Sequence, residues 1–162
     1  MKKFFVTTLA VMLAMGVSAA KKTPAKLQFD SSKGVAGSVT MPQGDIVNYT
    51  AFTKLYFVTN VEDSTYQYIN VFVPNGATQQ SPIFLRTYIG GYMASQASMP
   101  QGADATGRAL KEGYVVVIPG SRGRGSTVTK GKKTIYTGRA PKGLLDLKAA
   151  VRYLRLFDKD ML

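Results

Sequence analysis

Tyr114 to Gly120 reads YVVVIPG, an almost unbroken run of β-branched and apolar residues. A strand with one wet face alternates apolar and polar side chains; a strand with none polar is buried on both faces. Such a strand needs neighbours on either side and a covering layer above and below. This requirement points to an α/β sheet. The flanking sequence fits. SPIFLRTY (Ser81 to Tyr88) is a short apolar run suited to a buried strand. DATGRALKEG (Asp104 to Gly113) reads as a short helix, with Asp104 at its start and Gly113 as its stop. A strand, a helix and a second apolar strand in succession predict parallel pairing.

Downstream, Ser121 to Ala140 is expected to be a long polar, basic loop. A helix is predicted from Pro141 to Phe157, with proline suited to its first turn. Leu144, Leu147, Val151 and Leu154 fall at helical spacing, supported by Ala150 and Phe157, and predict the buried face. Lys148, Arg152, Arg155 and Lys159 line the opposite side, the expected solvent face.

Upstream, KLYFVTNV (Lys54 to Val61) and YQYINVFVP (Tyr66 to Pro74) read as two strands joined at VEDST. Residues 21–45, rich in Lys, Ser, Gly and Pro, are expected to be a flexible leader with one short strand near Val35. Residues 1–20 have the pattern of an export signal: Lys2 and Lys3, an apolar run from Phe4 to Val17, and Ser18-Ala19-Ala20 at the cleavage site. The expected location after its removal is periplasmic or extracellular, with no membrane association. Residues 46–162 form the expected domain. Its order is strand, strand, strand, helix, strand, helix.

The composition excludes several chemistries. The 162 residues contain neither cysteine nor histidine. No disulfide, no Ser-His-Asp triad and no His-ligated zinc site can be assembled from them. No metal or cofactor is expected. The net charge is +12, with 21 basic and 9 acidic residues. The basic residues are dispersed and are not interleaved with aromatics, so nucleic acid is not an expected partner. A cluster at Arg122, Arg124, Lys132 and Lys133 is the one candidate surface for anionic ligands. GSTVTKGKKT (Gly125 to Thr134) lacks phosphate-loop spacing, because its glycines are six apart and Lys133 stands where Ser or Thr is needed. Asn48-Tyr49-Thr50 is a glycosylation sequon that a bacterial-type signal leaves idle.

Three stretches, YIGGYM (Tyr88 to Met93), GYVVVIPGSRGR (Gly113 to Arg124) and APKGLLDLKAAVRYLR (Ala140 to Arg155), occur in an order and spacing that resembles the N-terminal part of an α/β-hydrolase. The branch it is similar to is the secreted tannase- and feruloyl-esterase-like carboxylesterases. The resemblance runs from about Leu55 to Leu162. It implies the N-terminal half of an α/β-hydrolase sheet, an antiparallel hairpin followed by parallel βαβα, incomplete, with YVVVIPG between its two neighbours. It also implies an oxyanion role for the backbone of Gly90 and Gly91, where glycine lets an N–H approach the reacting oxygen. Ile89 stands where the family often has a histidine. In the family the nucleophile follows the next strand in G-x-S-x-G, and the acid and histidine come later. No G-x-S-x-G occurs here; GVSAA (Gly16 to Ala20) is the nearest approach. Ser121 and Ser126 read as loop serines. The expectation is a truncated secreted serine carboxylesterase that does not hydrolyse small-molecule esters by itself and self-associates through an open sheet edge. The alternative is a small secreted basic protein that binds anionic ligands on a degenerate hydrolase scaffold.

Overall fold

A computed structural model describes residues 26–161; the expected export signal lies outside the described residues. The chain forms β1 (Val35–Thr40), β2 (Ile46–Tyr56), β3 (Tyr68–Pro74), β4 (Ile83–Leu85), α1 (Ala105–Lys111), β5 (Val115–Pro119), β6 (Thr127–Lys130), β7 (Lys133–Tyr136) and α2 (Lys142–Phe157). Five strands make one sheet in the order β1-β2-β3-β5-β4, and β6 and β7 make a separate hairpin. This is a mixed sheet with helices, an α/β fold. The pairs β1–β2, β2–β3 and β3–β5 are antiparallel, and β4–β5 is parallel.

Strand β5 lies between β3 and β4, with every residue from Val115 to Pro119 buried. Its side chains divide between two apolar clusters. Val115 and Val117 join Ile69, Val71, Ala150, Tyr153 and Leu154 on the α2 side. Val116 and Ile118 join Phe72, Tyr49 and Leu110 on the α1 side. The continuous apolar run therefore reflects a helix on each face, and one of its two neighbours is antiparallel. Asn70 also faces inward. Its amide donates to the Ser98 carbonyl, and its oxygen accepts from the Lys54 N–H at a bulge in β2.

Several expectations need correction. The strand expected from Lys54 begins at Ile46, because the edge strand β1 pairs with it from Val35↔Ala51 to Thr40↔Ile46. The SPIFLRTY strand lies at the open sheet edge as expected, but it is only three residues long and Ile83 is 48% exposed rather than buried. The expected loop after β5 contains the β6–β7 hairpin, paired from Thr127↔Tyr136 to Lys130↔Lys133. The buried face of α2 is Gly143, Asp146, Ala150, Tyr153 and Leu154, while Leu144 is 65% exposed. Arg152 and Arg155 do face solvent. Helix α1 is as expected: the Asp104 carboxylate accepts from the Thr106 N–H at 2.7 Å, and Gly113 ends it at φ +81°.

Candidate functional site

Because β4 and β5 are parallel, their C-terminal ends open on the same side of the sheet, the usual place for chemistry in open α/β sheets. The chain leaves β4 through Arg86–Ile89 and makes a tight turn at Gly90–Tyr92, with Gly91 at φ 59°, ψ 26°. A left-handed residue suits glycine. Tyr92 follows at φ 60° with a full side chain, a costly conformation that its surroundings must hold. Three contacts do so. The Tyr92 carbonyl accepts from the Arg124 N–H at 2.6 Å. Its hydroxyl accepts from the Gly143 N–H at the start of α2, at 3.0 Å. Gly123 lies so close that a Cβ there would be 2.5 Å from the Tyr92 carbonyl oxygen. Gly90 and Gly91 are exposed, with open space where each Cβ would stand. Among the described residues no backbone carbonyl accepts from either of their N–H groups. An exposed turn with uncommitted N–H donors can receive a negative oxygen.

The loop after β5 is fixed by a buried ionic network. Arg122 is 6% exposed. Its Nε and Nη2 donate to the two Asp146 oxygens at 2.8 Å each, and its backbone N–H adds a bond of 3.0 Å to the same carboxylate. Its Nη1 donates to Glu62, which also accepts from the Lys142 ammonium at 2.6 Å. Gln67 donates to Asp146 at 3.1 Å. Burial alone would lower the Arg122 pKa, but the bonds to Asp146 and Glu62 outweigh it and raise it. The Lys142 bond, aided by Arg122, holds the Glu62 carboxyl below its ordinary value. Asp63, also buried, accepts from Thr137 at 2.8 Å and joins the β2–β3 connection to the segment before α2. Ser95 and Ser121 exchange backbone bonds of 3.0 and 2.8 Å, which fasten the post-β4 loop to the post-β5 loop.

The four basic residues grouped in the sequence do not form one surface. Arg122 is buried and committed to carboxylates, so it cannot serve an external anion. Lys132 and Lys133 sit at the tip of the β6–β7 hairpin. Arg124 is exposed beside the glycine turn, with Nη2 3.5 Å from the Met93 sulfur. Ser121 and Ser126 are buried. The Ser121 hydroxyl lies 3.1 Å from the Gly143 carbonyl, and the Ser126 hydroxyl oxygen accepts from the Gly123 N–H at 3.0 Å. Neither is placed as a nucleophile. Sequence reasoning missed Tyr92, Glu62 and Asp146. The signal for Asp146 was present: it shares a helical face with Ala150 and Tyr153, and an acid on an apolar face needs a cation.

No protein-family model matches the sequence, and no curated protein matches it. The crystal structure of Fusobacterium nucleatum tannase matches with a TM-score of 0.72 and 34% sequence identity, over 81% of this chain and 30% of that one. The chain therefore has a tannase-like α/β fold, and the match spans less than a third of that tannase's length.

Proposed function

We propose that this chain supplies the scaffold and oxyanion turn of an exported, tannase-like serine carboxylesterase of the α/β-hydrolase superfamily. The observation that carries the reading is the Gly90–Gly91 turn. It stands at the open ends of β4 and β5, its N–H groups have no backbone acceptor among the described residues, and its fold is shared with a tannase. In ester hydrolysis the carbonyl oxygen gains negative charge as the tetrahedral intermediate forms. Donors fixed beforehand in that position lower the barrier, because they need not reorganise. Fixing Tyr92 at both its carbonyl and its hydroxyl supplies that rigidity. The 162 residues hold no histidine and no G-x-S-x-G elbow. Alone they neither activate a serine nor protonate a leaving alcohol.

Two measurements test this reading. The purified chain is expected to give no turnover of phenyl acetate above background, and appreciable turnover would overturn the assignment. A chimera in which residues 26–161 replace the matched region of the Fusobacterium tannase is expected to hydrolyse aryl esters. Gly91→Val in that chimera should lower kcat about 10²- to 10³-fold, with a much smaller change in KM. A folded chimera without activity, or one indifferent to the substitution, would count against the oxyanion role.

A further inference from the structure

The outer face of α2 carries side chains that neither the core nor the glycine turn uses. Leu144, Leu145 and Leu156 are 65%, 52% and 61% exposed. Lys148, Arg152 and Arg155 are exposed between them. Their spacing puts all six on one side of the helix. Leu144, Lys148, Arg152 and Leu156 follow one another at intervals of four, Leu145 stands three before Lys148, and Arg155 stands three after Arg152. From Leu144 to Leu156 the face runs about 18 Å. Single exposed leucines are ordinary on a protein surface; three on one helix face, among three cations, make a patch.

Nothing on α2 offsets this charge. Asp146 turns inward to Arg122. Asp158, at the helix end, accepts from the Lys159 N–H at 2.7 Å. Among the described residues Lys148, Arg152 and Arg155 enter no ion pair. No carboxylate lines the cleft next to Arg152 and Leu156, where Leu27, Val58 and Asn60 continue the surface. A second copy is a poor cover for this face, because symmetric contact would bring three cations against three. A bilayer surface with anionic headgroups supplies both missing partners. Its phosphates meet the ammonium and guanidinium groups, and its acyl chains begin just beneath, where leucines are buried and long basic side chains still reach the headgroups. No described helix is long and apolar enough to cross a membrane. The contact that fits is a helix lying in the surface.

We propose that the outer face of α2 docks on an anionic phospholipid surface, with Leu144, Leu145 and Leu156 at the boundary of headgroups and acyl chains and Lys148, Arg152 and Arg155 on the phosphates. The face that charge patterning assigns to solvent is then a membrane-docking face. Docking needs neither a nucleophile nor an oxyanion turn, so it stands or falls apart from the esterase reading.

The test is co-sedimentation of the processed chain, from Lys21, with vesicles of phosphatidylglycerol and phosphatidylcholine. Binding is expected at low salt, should weaken as salt rises and should be absent with phosphatidylcholine alone. Lys148→Gln, Arg152→Gln and Arg155→Gln combined should weaken it about 10²-fold. Leu144→Gln, Leu145→Gln and Leu156→Gln combined should weaken it at least about tenfold. All six positions are exposed, so thermal midpoints should stay in place. Lys130→Gln, Lys132→Gln and Lys133→Gln on the β6–β7 hairpin remove the same charge and should change binding less than about twofold. The chain has no tryptophan, so Leu156→Trp gives a single reporter whose emission should move to the blue on vesicles. Equal losses in the hairpin and helix variants would reduce the effect to net charge and overturn the site. Binding that survives both α2 combinations lies elsewhere on the chain and would overturn it too. Displacement by glycerol phosphate would point to a soluble phosphate ligand in place of a surface. Tighter binding to polyglutamate than to the vesicles would assign the face to an acidic polypeptide. An unshifted Leu156→Trp emission, or no binding to anionic vesicles at low salt, would refute docking.

Discussion

Arg122 and Asp146 lie 24 positions apart, and together they decide how helix α2 sits on the sheet. Both side chains are nearly sealed from solvent, at 6% and 2% exposure. Two charges under such conditions are costly to bury, and each is tolerated only because the other is present. Asp146→Asn is therefore expected to destabilise the chain by about 3–5 kcal/mol, since it leaves the guanidinium without its main partner. Glu62, with a side chain 46% exposed, is different: Glu62→Gln is expected to cost no more than about 1 kcal/mol. Urea titrations of both variants separate the two cases, and comparable losses would show that the contribution of Asp146 has been misjudged.

At the scale of elements, what could be read in the sequence depended on how local the deciding contacts were. Helix α1 was legible because its cap and its stop are neighbours in the chain, at Asp104 and Gly113. Strand β5 was legible because its burial is written in its own side chains. The β6–β7 hairpin was not, since Thr127 to Tyr136 is exposed nearly throughout and shows no apolar alternation. The face of α2 was assigned to Leu144 because leucine outranks aspartate in any hydrophobic pattern, whereas the partner that buries Asp146 lies on another element. The same holds for the candidate site. Gly90 and Gly91 were visible as glycines; the strained Tyr92 beside them was invisible without Gly143 and Arg124. Strand β4 carries an element-scale prediction. The Val115 N–H donates to Pro82 and the Arg86 N–H donates to Val117, so alternation turns the backbone groups of Ile83 and Leu85 outward. Beside them Ile83, Val115, Leu154 and Met161 line a groove together with Gln79, Ser81, Asp158 and Lys159. An open edge of this kind is a template on which another copy can pair. Sedimentation is expected to show concentration-dependent self-association, and Ile83→Lys should weaken it at least about tenfold. A wild-type chain that stays monomeric at every concentration would refute this.

For the whole molecule, stability should have a plateau bounded by identifiable groups. Burial acts to raise the Asp104 carboxyl, but the bonds from Thr106 and Tyr88 prevail and hold it below 3.8. Glu62 is held below 4.5, chiefly by Lys142. A depressed carboxyl stabilises the fold fully above its unfolded value and loses that contribution as pH falls through the folded one. Tyr153 acts in the opposite direction. Burial pushes its phenol from 10.0 up to about 12, so the stability it carries is complete below pH 10 and is lost as pH rises from there towards 12. Urea midpoints should therefore be level between about pH 5 and 9 and fall on both sides. Glu62→Gln should flatten part of the acidic limb; an unaltered limb would contradict the assignment.

The Tyr153 hydroxyl also donates to the Gln28 carbonyl at 2.8 Å, joining residues 125 positions apart. Phe29 packs on Phe52 and Phe157 in the same place. During synthesis the chain emerges N-terminus first, so the Leu27–Phe29 arm appears early and finds its seat only after α2 has left the ribosome. Until then Phe29 has only Phe52 of β2 to pack on, and the contacts with Tyr153 and Phe157 that complete its seat close across well over half the chain.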